Sequence, residues 1–349
     1  MRADIPTDAD EEVLGSSAWR APRWLVVVVA AALLAAVTVF VRHELDPPGR
    51  QHVAAHRTPA RPVPTAAPAE PQIALTGTTL LVLRGGGLRA VDTRTDRVLG
   101  EATVPYASGA VSTIPQLALD PAASLAWVVT ARAAVTHLIE YRLPSLLVLR
   151  DVPWLLAVRS AAAFAGHLYL STDLGTADLA PGGLPRLVPG LSGAVGTVVA
   201  DPSRGRVIAM DLGYPTELWT YRSGGKVVQS PHLLQLADGS ISVVAGRIWV
   251  AGADGAVPRM LRLDPRTLTP MARAVLPTAF GTTASIVSTG SHVLWLRGAP
   301  AAALWCVDAG NGRAVQSWAV DGTVASSTGV AYLGTGVGVM PLPLSGCGG

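Results

Sequence analysis

The chain has 349 residues, of which 50% are hydrophobic and only 15% are charged, with a formal net charge of +3 at pH 7. This length is enough for one or two domains with a large buried core. The arginines are scattered and form no basic cluster with interleaved aromatic residues, which argues against a nucleic-acid-binding protein.

The first predicted element is a membrane span at residues 24–41, "WLVVVVAAALLAAVTVFV", which contains no charged residue and no helix breaker. As a helix it would be about 27 Å long, close to the thickness of a bilayer core. A buried helix would need a polar face to meet water, and a cleaved signal peptide would need a small-residue cleavage site. Neither feature is present, so we expect one uncleaved transmembrane α-helix.

The orientation of this span follows from the size of what comes after it. Arginines flank the segment on both sides, so their distribution alone does not decide the topology. Long domains cross the membrane largely regardless of charge, and two cysteines near the chain end suit an oxidising compartment. We therefore expect a short cytoplasmic tail at 1–23 and an extracytoplasmic C-terminal domain, in a single-pass protein of the cell membrane.

Residues 42–71 form a proline-rich segment with few large aliphatic side chains. Such a segment cannot bury enough apolar surface to fold, and it favours an extended polyproline II conformation. It is expected to act as a stalk between the membrane and the domain at 72–349.

From residue 72 onward, short apolar runs alternate with Gly, Asp and Pro turns, which is typical of an all-β protein. One pattern, an apolar run followed by an Asp, ends at Asp92 ("LRAVD"), Asp264 ("LRLD") and Asp308 ("LWCVD"). Weaker copies place the equivalent position at Pro144, Ala180, Arg222 and Ser345. The mean spacing of about 42 residues is that of propeller blades, so we predict a seven-bladed β-propeller. The three aspartates are interpreted as turn formers.

A second pattern supports the same period. An apolar strand precedes each turn, and one position in it is usually aromatic; that position holds Val82, Trp127, Tyr169, Ala209, Trp249, Trp295 and Tyr332. Since only 5% of the chain is aromatic, five rings in seven such places point to a structural role. We expect each ring to lie between neighbouring blades.

These patterns, led by "GRIWVAGADGAVPRMLRLDPRTL" at 246–268, make residues 72–349 resemble the YVTN, NHL and PQQ-like repeat propellers. The resemblance concerns architecture. Quinoprotein dehydrogenases of this group have eight blades with regular tryptophan motifs, which this sequence lacks. Sugar lactonases of related shape imply acidic and Asn ligands in the central channel, and no such set stands out.

Closure of the predicted ring raises a separate question. Blade 7 lacks a fourth strand in the sequence, and the preceding stalk is too rich in proline to supply one. Cys306 falls in the third strand of blade 6 and Cys347 follows the third strand of blade 7. We predict a disulfide between them; two buried free thiols are the alternative.

The candidate site is the segment "MDLGYPTELWTYR" at 210–222, where Asp211, Tyr214, Glu217, Trp219 and Tyr221 could present a loop for ligand or partner contact. Asp173 and Asp178 in the neighbouring blade could join it. The alternative is a hairpin with a solvated Glu217 and packed rings.

No nucleophile elbow, zinc-protease or phosphate-binding motif is present, so no catalytic, metal or cofactor residue is assigned. The leading expectation is therefore an extracytoplasmic, membrane-tethered binding or scaffolding propeller with a protein or glycan partner. One alternative is a metal-dependent hydrolase or lactonase acting in the central channel. Another is a surface sensor that signals through the N-terminal tail.

Overall fold

The computed structural model describes residues 71–105, 115–132, 135–192, 195–229, 234–299, 303–327, 329–344 and 347. The predicted tail at 1–23, the span at 24–41 and nearly all of the stalk lie outside these residues. Within the described ranges, no helix is long and apolar enough to cross a membrane.

The described residues form seven antiparallel sheets, six with four strands and one with three, and each sheet is built from strands consecutive in sequence. The predicted seven-bladed β-propeller is confirmed. Blades 1 to 3 contain β1 Gln72–Thr76, β2 Thr79–Arg84, β3 Gly87–Asp92, β4 Val98–Thr103; β5 Gln116–Asp120, β6 Leu125–Arg132, β7 Val135–Arg142, β8 Leu147–Trp154; β9 Val158–Phe164, β10 His167–Thr172, β11 Gly175–Leu179 and β12 Arg186–Ser192. Blades 4 to 7 contain β13 Val195–Asp201, β14 Arg206–Asp211, β15 Leu218–Tyr221, β16 Val228–Gln229; β17 Ala237–Val244, β18 Arg247–Asp254, β19 Val257–Leu263, β20 Pro270–Val275; β21 Thr283–Thr289, β22 Val293–Ala299, β23 Ala303–Asp308, β24 Ala314–Trp318; β25 Thr323–Ser327, β26 Val330–Gly334 and β27 Val339–Leu342.

The antiparallel strand order defines two faces of the ring. The upper face carries the turn between the second and third strands of each blade, and the connection from each blade to the next. The lower face carries the other two turns of each four-stranded blade and the first turn of blade 7. Because β1 runs from the upper to the lower face, the chain enters the ring at the upper face.

The aromatic positions occupy equivalent places in successive blades, as predicted. Each lies in the second strand of its sheet, and Trp127, Trp249 and Trp295 are at most 1% exposed. The apolar cluster around each ring combines side chains of two neighbouring blades; for example, Trp249 packs with Leu276 and Phe280 at the junction with blade 6. The rings therefore join the blades, which is the structural role inferred from the sequence.

The indole N–H groups of these three tryptophans differ in their hydrogen-bond acceptors. That of Trp249 donates to the carbonyl oxygen of Ala309 in the next blade at 3.0 Å, and that of Trp295 donates to Ser326 Oγ at 2.7 Å. The indole N–H of Trp127 is buried without a partner. Its ring is instead covered by the guanidinium of Arg150, 4.9 Å from the ring centroid.

Arg150 links blades 2 and 3 through hydrogen bonds as well as through this ring contact. Its guanidinium donates to the carbonyl oxygens of Gly183 and Ala180 in blade 3, at 3.2 and 3.3 Å, and forms an ion pair with Glu140 in its own blade. A cation therefore binds a turn of the next blade here, whereas at blade 5 the indole of Trp249 does so.

The turn-forming role of the three aspartates is confirmed. Asp92 Oδ1 accepts from the amides of Arg94 and Thr95 at 2.9 and 3.0 Å. Asp264 Oδ1 accepts from Arg266 and Thr267 at 2.7 and 2.8 Å, and Asp308 makes the same pair of bonds two and three residues on. Each carboxylate closes a tight turn between third and fourth strands.

The first strands surround the central channel, and each touches the first strand of the blades on both sides. In the upper half and middle of these strands, polar groups of successive blades bond to each other. Gln116 Nε2 donates to the carbonyl oxygen of Arg159 at 2.8 Å, and Ser160 Oγ accepts from the amide of Val198 at 2.7 Å. Ser240 Oγ accepts from the amide of Ile286 at 2.6 Å.

Blade 7 closes onto blade 1 with the same kind of contact. The hydroxyl of Thr323, at the start of β25, donates to the carbonyl oxygen of Pro71. The guanidinium of Arg84 in blade 1 also donates to the carbonyl oxygen of Gly336 in blade 7, at 2.5 Å. The ring is therefore closed by side-by-side packing, without a strand exchanged between the chain ends in the described residues.

The predicted disulfide is present: Cys306 and Cys347 are bonded, with their Cα atoms 6.2 Å apart. The bond joins the third strand of blade 6 to the residues that follow β27, the outermost strand of the three-stranded blade 7. Both sulfur-bearing side chains are buried in the cluster between these two blades.

The outer edges of several blades contain proline, which has no backbone N–H to donate to a neighbouring strand. Pro153, Pro189 and Pro270 lie in the fourth strands of blades 2, 3 and 5. In β27, Pro341 pairs with Tyr332 in regular register, so the position of its missing N–H faces away from the sheet.

Candidate functional site

The hairpin at residues 212–217, between β14 and β15 of blade 4, lies on the upper face. Its base is closed by the residues that flank it. The amide of Glu217 donates to Asp211 Oδ1 at 2.8 Å, and the amide of Asp211 donates to the carbonyl oxygen of Glu217 at 3.2 Å. Asp211 therefore supports the hairpin by capping its base.

Thr216 anchors the same hairpin to the segment that leads into blade 5. This residue is fully buried, and its hydroxyl lies 2.7 Å from the carbonyl oxygen of Leu236 and 3.0 Å from that of Gly213. Its amide and carbonyl groups both bond to Leu234, at 2.8 and 2.9 Å. The backbone of the hairpin is therefore held in one geometry before any partner binds.

The tip of the hairpin presents apolar surface to solvent, with Tyr214 59% and Leu212 43% exposed. Leu212 packs over Gly196 in the first strand of blade 4, where a Cβ atom would come within 2.4 Å of the leucine side chain. Glu217 Oε2 accepts a hydrogen bond from Gln229 Nε2 at 2.9 Å. Of the predicted site residues in blade 4, Tyr214 is therefore free for contact, whereas Asp211 and Glu217 hold the loop.

Trp219 and Tyr221 lie in β15. Both rings pack against the cluster formed by Val188 and Leu191 of blade 3 and Ala209 of blade 4. These two rings belong to the junction between blades 3 and 4. The sequence could not separate them from Tyr214, because all three lie in one short segment.

Asp173 lies in the turn between β10 and β11 of blade 3, on the same face as Tyr214. Its carboxylate pairs with Arg159 Nε at 2.7 Å, and both side chains are about half exposed to solvent. Leu174 beside it is 53% exposed. The structure therefore brings Asp173 to the upper face, one blade from the hairpin.

Asp178 lies towards the lower end of β11, away from the other predicted site residues. Its carboxylate binds His167 Nδ1 at 2.8 Å and accepts from the hydroxyl of Tyr221 at 3.3 Å. Burial, followed by the nearby Asp178 carboxylate, raises the pKa of Tyr169 and of Tyr221. Asp178 is thus part of a polar cluster between blades 3 and 4, and does not join the hairpin.

Other exposed apolar residues of the upper face were missed by the sequence analysis. Val337, in the turn between β26 and β27, is 89% exposed, and Leu155, in the connection from blade 2 to blade 3, is 84% exposed. The signal that could have identified them is a single large aliphatic residue inside a turn between two apolar strands.

Four polar side chains of the first strands, Gln116, Ser160, Ser240 and Thr323, bond to the next blade. Among the residues that the structure describes, no three His, Cys, Asp or Glu side chains gather where they could hold a metal ion. The upper face over blades 3 and 4 presents Asp173, Leu174, Leu212 and Tyr214 to solvent. We call these four residues the blade 3–4 patch.

No known family model matches the sequence, and no curated protein matches it. Solved structures do share its fold. Hydrazine synthase of Kuenenia stuttgartiensis aligns with a TM-score of 0.62 at 11% identity, over 83% of this chain and 99% of that chain. The Cps50 (Swd1) β-propeller domain of Myceliophteria thermophila gives 0.59 at 10% identity, over 78% and 95%. A streptogramin B lyase gives 0.56 at 11% identity, over 79% and 93%. At such identities the likeness concerns the propeller fold alone.

Proposed function

We propose that this protein is a membrane-tethered binding or scaffolding module that recognises a protein or glycan outside the cytoplasm. The apolar segment at 24–41 supplies the anchor, the proline-rich segment after it supplies the stalk, and the propeller supplies the recognition surface. The blade 3–4 patch is the proposed contact region.

The observation that carries this proposal is the construction of the blade 4 hairpin. The hydrogen bonds of Asp211 and Thr216 fix its backbone, while the ring of Tyr214 remains mostly in solvent. A preorganised loop loses little conformational entropy when it binds. An exposed tyrosine on such a loop supplies apolar area together with a hydroxyl, which suits both protein and glycan surfaces.

Photo-crosslinking on intact cells tests this function. A benzophenone-bearing amino acid is placed at position 214 of the full chain, and, as a matched control, at the exposed Leu184 on the lower face. We expect a partner captured from position 214 and not from position 184. Purified partner should then bind the parent protein and the variant Leu184→Ser, and bind Tyr214→Ser at least several-fold more weakly. Equal binding by both variants would refute the assignment of the patch.

A further inference from the structure

The lower face gathers basic side chains that are scattered in the sequence. Its turns in blades 4 to 6, at 202–205, 222–227, 245–246, 264–269, 290–292 and 309–313, all lie within the described residues. These turns and the strand starts beside them carry six exposed or partly exposed cations: Arg204, Arg222, Lys226, Arg247, Arg266 and Arg313. We call these six residues the basic arc.

Contacts between the turns make the basic arc continuous from blade to blade. The guanidinium of Arg204 in blade 4 donates to the carbonyl oxygen of Gly246 in blade 5 at 3.3 Å, directly before Arg247. Arg262, near the lower end of blade 5, donates to the carbonyl oxygen of Gly310 in blade 6 at 3.3 Å. The lower turns of the three blades therefore touch in succession, and their cations form one surface.

The carboxylates at the lower end of these blades are already engaged. Asp201 is fully buried and pairs with Arg206 at 3.0 Å, whereas Asp264 and Asp308 cap their turns by accepting backbone amides. Within the part of the chain that the structure describes, Arg204 is the one member of the basic arc in an ion pair, 3.7 Å from Asp201. The positive charge of the arc is therefore largely unbalanced.

The upper ends of the same blades differ in this respect. Arg259 pairs with Asp254 at 2.8 Å in blade 5, and Arg297 of blade 6 pairs with Asp321 at 2.9 Å. Cations and carboxylates are thus matched at the upper ends, whereas cations exceed carboxylates at the lower ends. Unpaired cations on neighbouring turns raise the local concentration of anionic ligands.

The turns of the basic arc offer charge without an apolar anchor. Within the described turns at 202–205, 222–227, 264–269 and 309–313, no large hydrophobic side chain is exposed, and Leu268 is buried. Protein interfaces depend on a few buried aromatic or Arg anchors in well-packed pockets, and single-stranded nucleic acids need rings on which bases stack. The arc therefore suits a polymer that is recognised through its charge.

We propose that the basic arc binds an anionic polysaccharide, whose repeated carboxylate or phosphate groups contact the cations of successive blades. The choice of a polysaccharide over duplex DNA rests on the proposed location outside the cytoplasm. Five of the six cations are arginines, and the planar guanidinium matches the paired oxygens of carboxylate and phosphate. Because the arc and the blade 3–4 patch lie on opposite faces, this ligand is additional to the partner of the patch.

The test uses the full chain in nanodiscs of phosphatidylcholine. Binding is measured to immobilised polygalacturonate, to phosphate-bearing dextran and to neutral dextran, each at low and high salt. We expect binding to at least one anionic polymer and none to neutral dextran, with affinity falling several-fold at high salt because ions screen exposed charges. The anionic polymer that binds more tightly identifies the recognised group.

Two variants of equal net charge locate the binding surface. Arg222→Gln/Arg266→Gln removes two cations of the basic arc, and Arg132→Gln/Arg273→Gln removes two exposed cations elsewhere on the propeller. Equal midpoints of thermal unfolding confirm that both are folded. We expect the first variant to bind the anionic polymer several-fold more weakly than the parent, and the second to bind within about twofold of it.

Each other outcome overturns a defined part of the proposal. Equal weakening of both variants would show that net charge alone drives binding and would overturn the assignment to the arc. Absence of binding to both anionic polymers would overturn the ligand. Tighter binding to duplex DNA or to phosphatidylglycerol vesicles would assign the arc to those polyanions and overturn the polysaccharide. Capture of a partner at position 214 without polysaccharide binding would overturn this inference and leave the proposed function standing.

Discussion

Removal of the Cys306–Cys347 bond should loosen blade 7 while the rest of the ring stays folded. The bond joins positions separated by 41 residues, so the chain-entropy relation assigns it about 4 kcal/mol. That free energy corresponds to a factor of roughly a thousand in the population of opened blade 7. The value is an upper figure, since the part of this loop up to Trp318 stays folded in blade 6 when only blade 7 opens. The perturbation is the double variant Cys306→Ala/Cys347→Ala, which leaves no reactive thiol.

Amide hydrogen exchange measures this effect locally. The amides of Met340 and Leu342 in β27 should exchange up to about a thousandfold faster in the double variant. Those of β6 in blade 2 should be unchanged and serve as the internal control. The parent protein treated with a reductant should behave like the variant. If the β27 amides exchange at the parental rate, the disulfide does not hold blade 7, and closure depends on contacts such as that of Thr323 with Pro71.

Three further predictions concern single residues. Trp249→Phe should lower the free energy of unfolding by about 1–3 kcal/mol in a denaturant titration, because the buried carbonyl oxygen of Ala309 loses its donor; an unchanged value would contradict this. Thr216→Val should lower the free energy of unfolding by a similar amount, about 1–3 kcal/mol, and weaken partner binding, since the hairpin loses its bond to Leu236. A lower free energy of unfolding with unchanged partner binding would show that the hairpin is not the recognition element. The amides of Thr267 and Arg266 hold the pKa of Asp264 below its usual 3.8, so its contribution to stability is complete above that pH and is lost as the pH falls through the lower folded value; a carboxyl NMR titration with a midpoint at or above 3.8 would refute this.

The blades could be predicted from sequence because each one repeats the same physical problem. A single blade cannot cover its own apolar faces, so each unit has an apolar second strand, and in five of the seven a large ring lies near its middle. Trp127, Tyr169, Trp249 and Trp295 make this repeat visible in the sequence, because they recur at multiples of about one blade length. The bonding of each ring could not be predicted in this way. Whether an indole or a guanidinium such as that of Arg150 binds the next blade depends on which carbonyl the following turn presents.

The candidate site could be predicted only in part, for a reason of strand geometry. Asp173 and Asp178 are close in sequence, but the strand between them carries them to opposite ends of blade 3. Asp211 and Tyr214 are closer still in sequence, yet one caps the hairpin and the other forms its tip. Composition marks such a segment as unusual, whereas the division between supporting and exposed residues emerges only from the hydrogen bonds.

The outer-edge prolines bear on edge-to-edge pairing between copies of the propeller. Among the described residues, each blade ends in a strand whose outer row of backbone groups has no further strand paired to it. Pro153, Pro189, Pro270 and Pro341 interrupt that row in four of the seven blades. At those four edges a neighbouring sheet finds no continuous ladder to extend, which opposes edge-to-edge aggregation there.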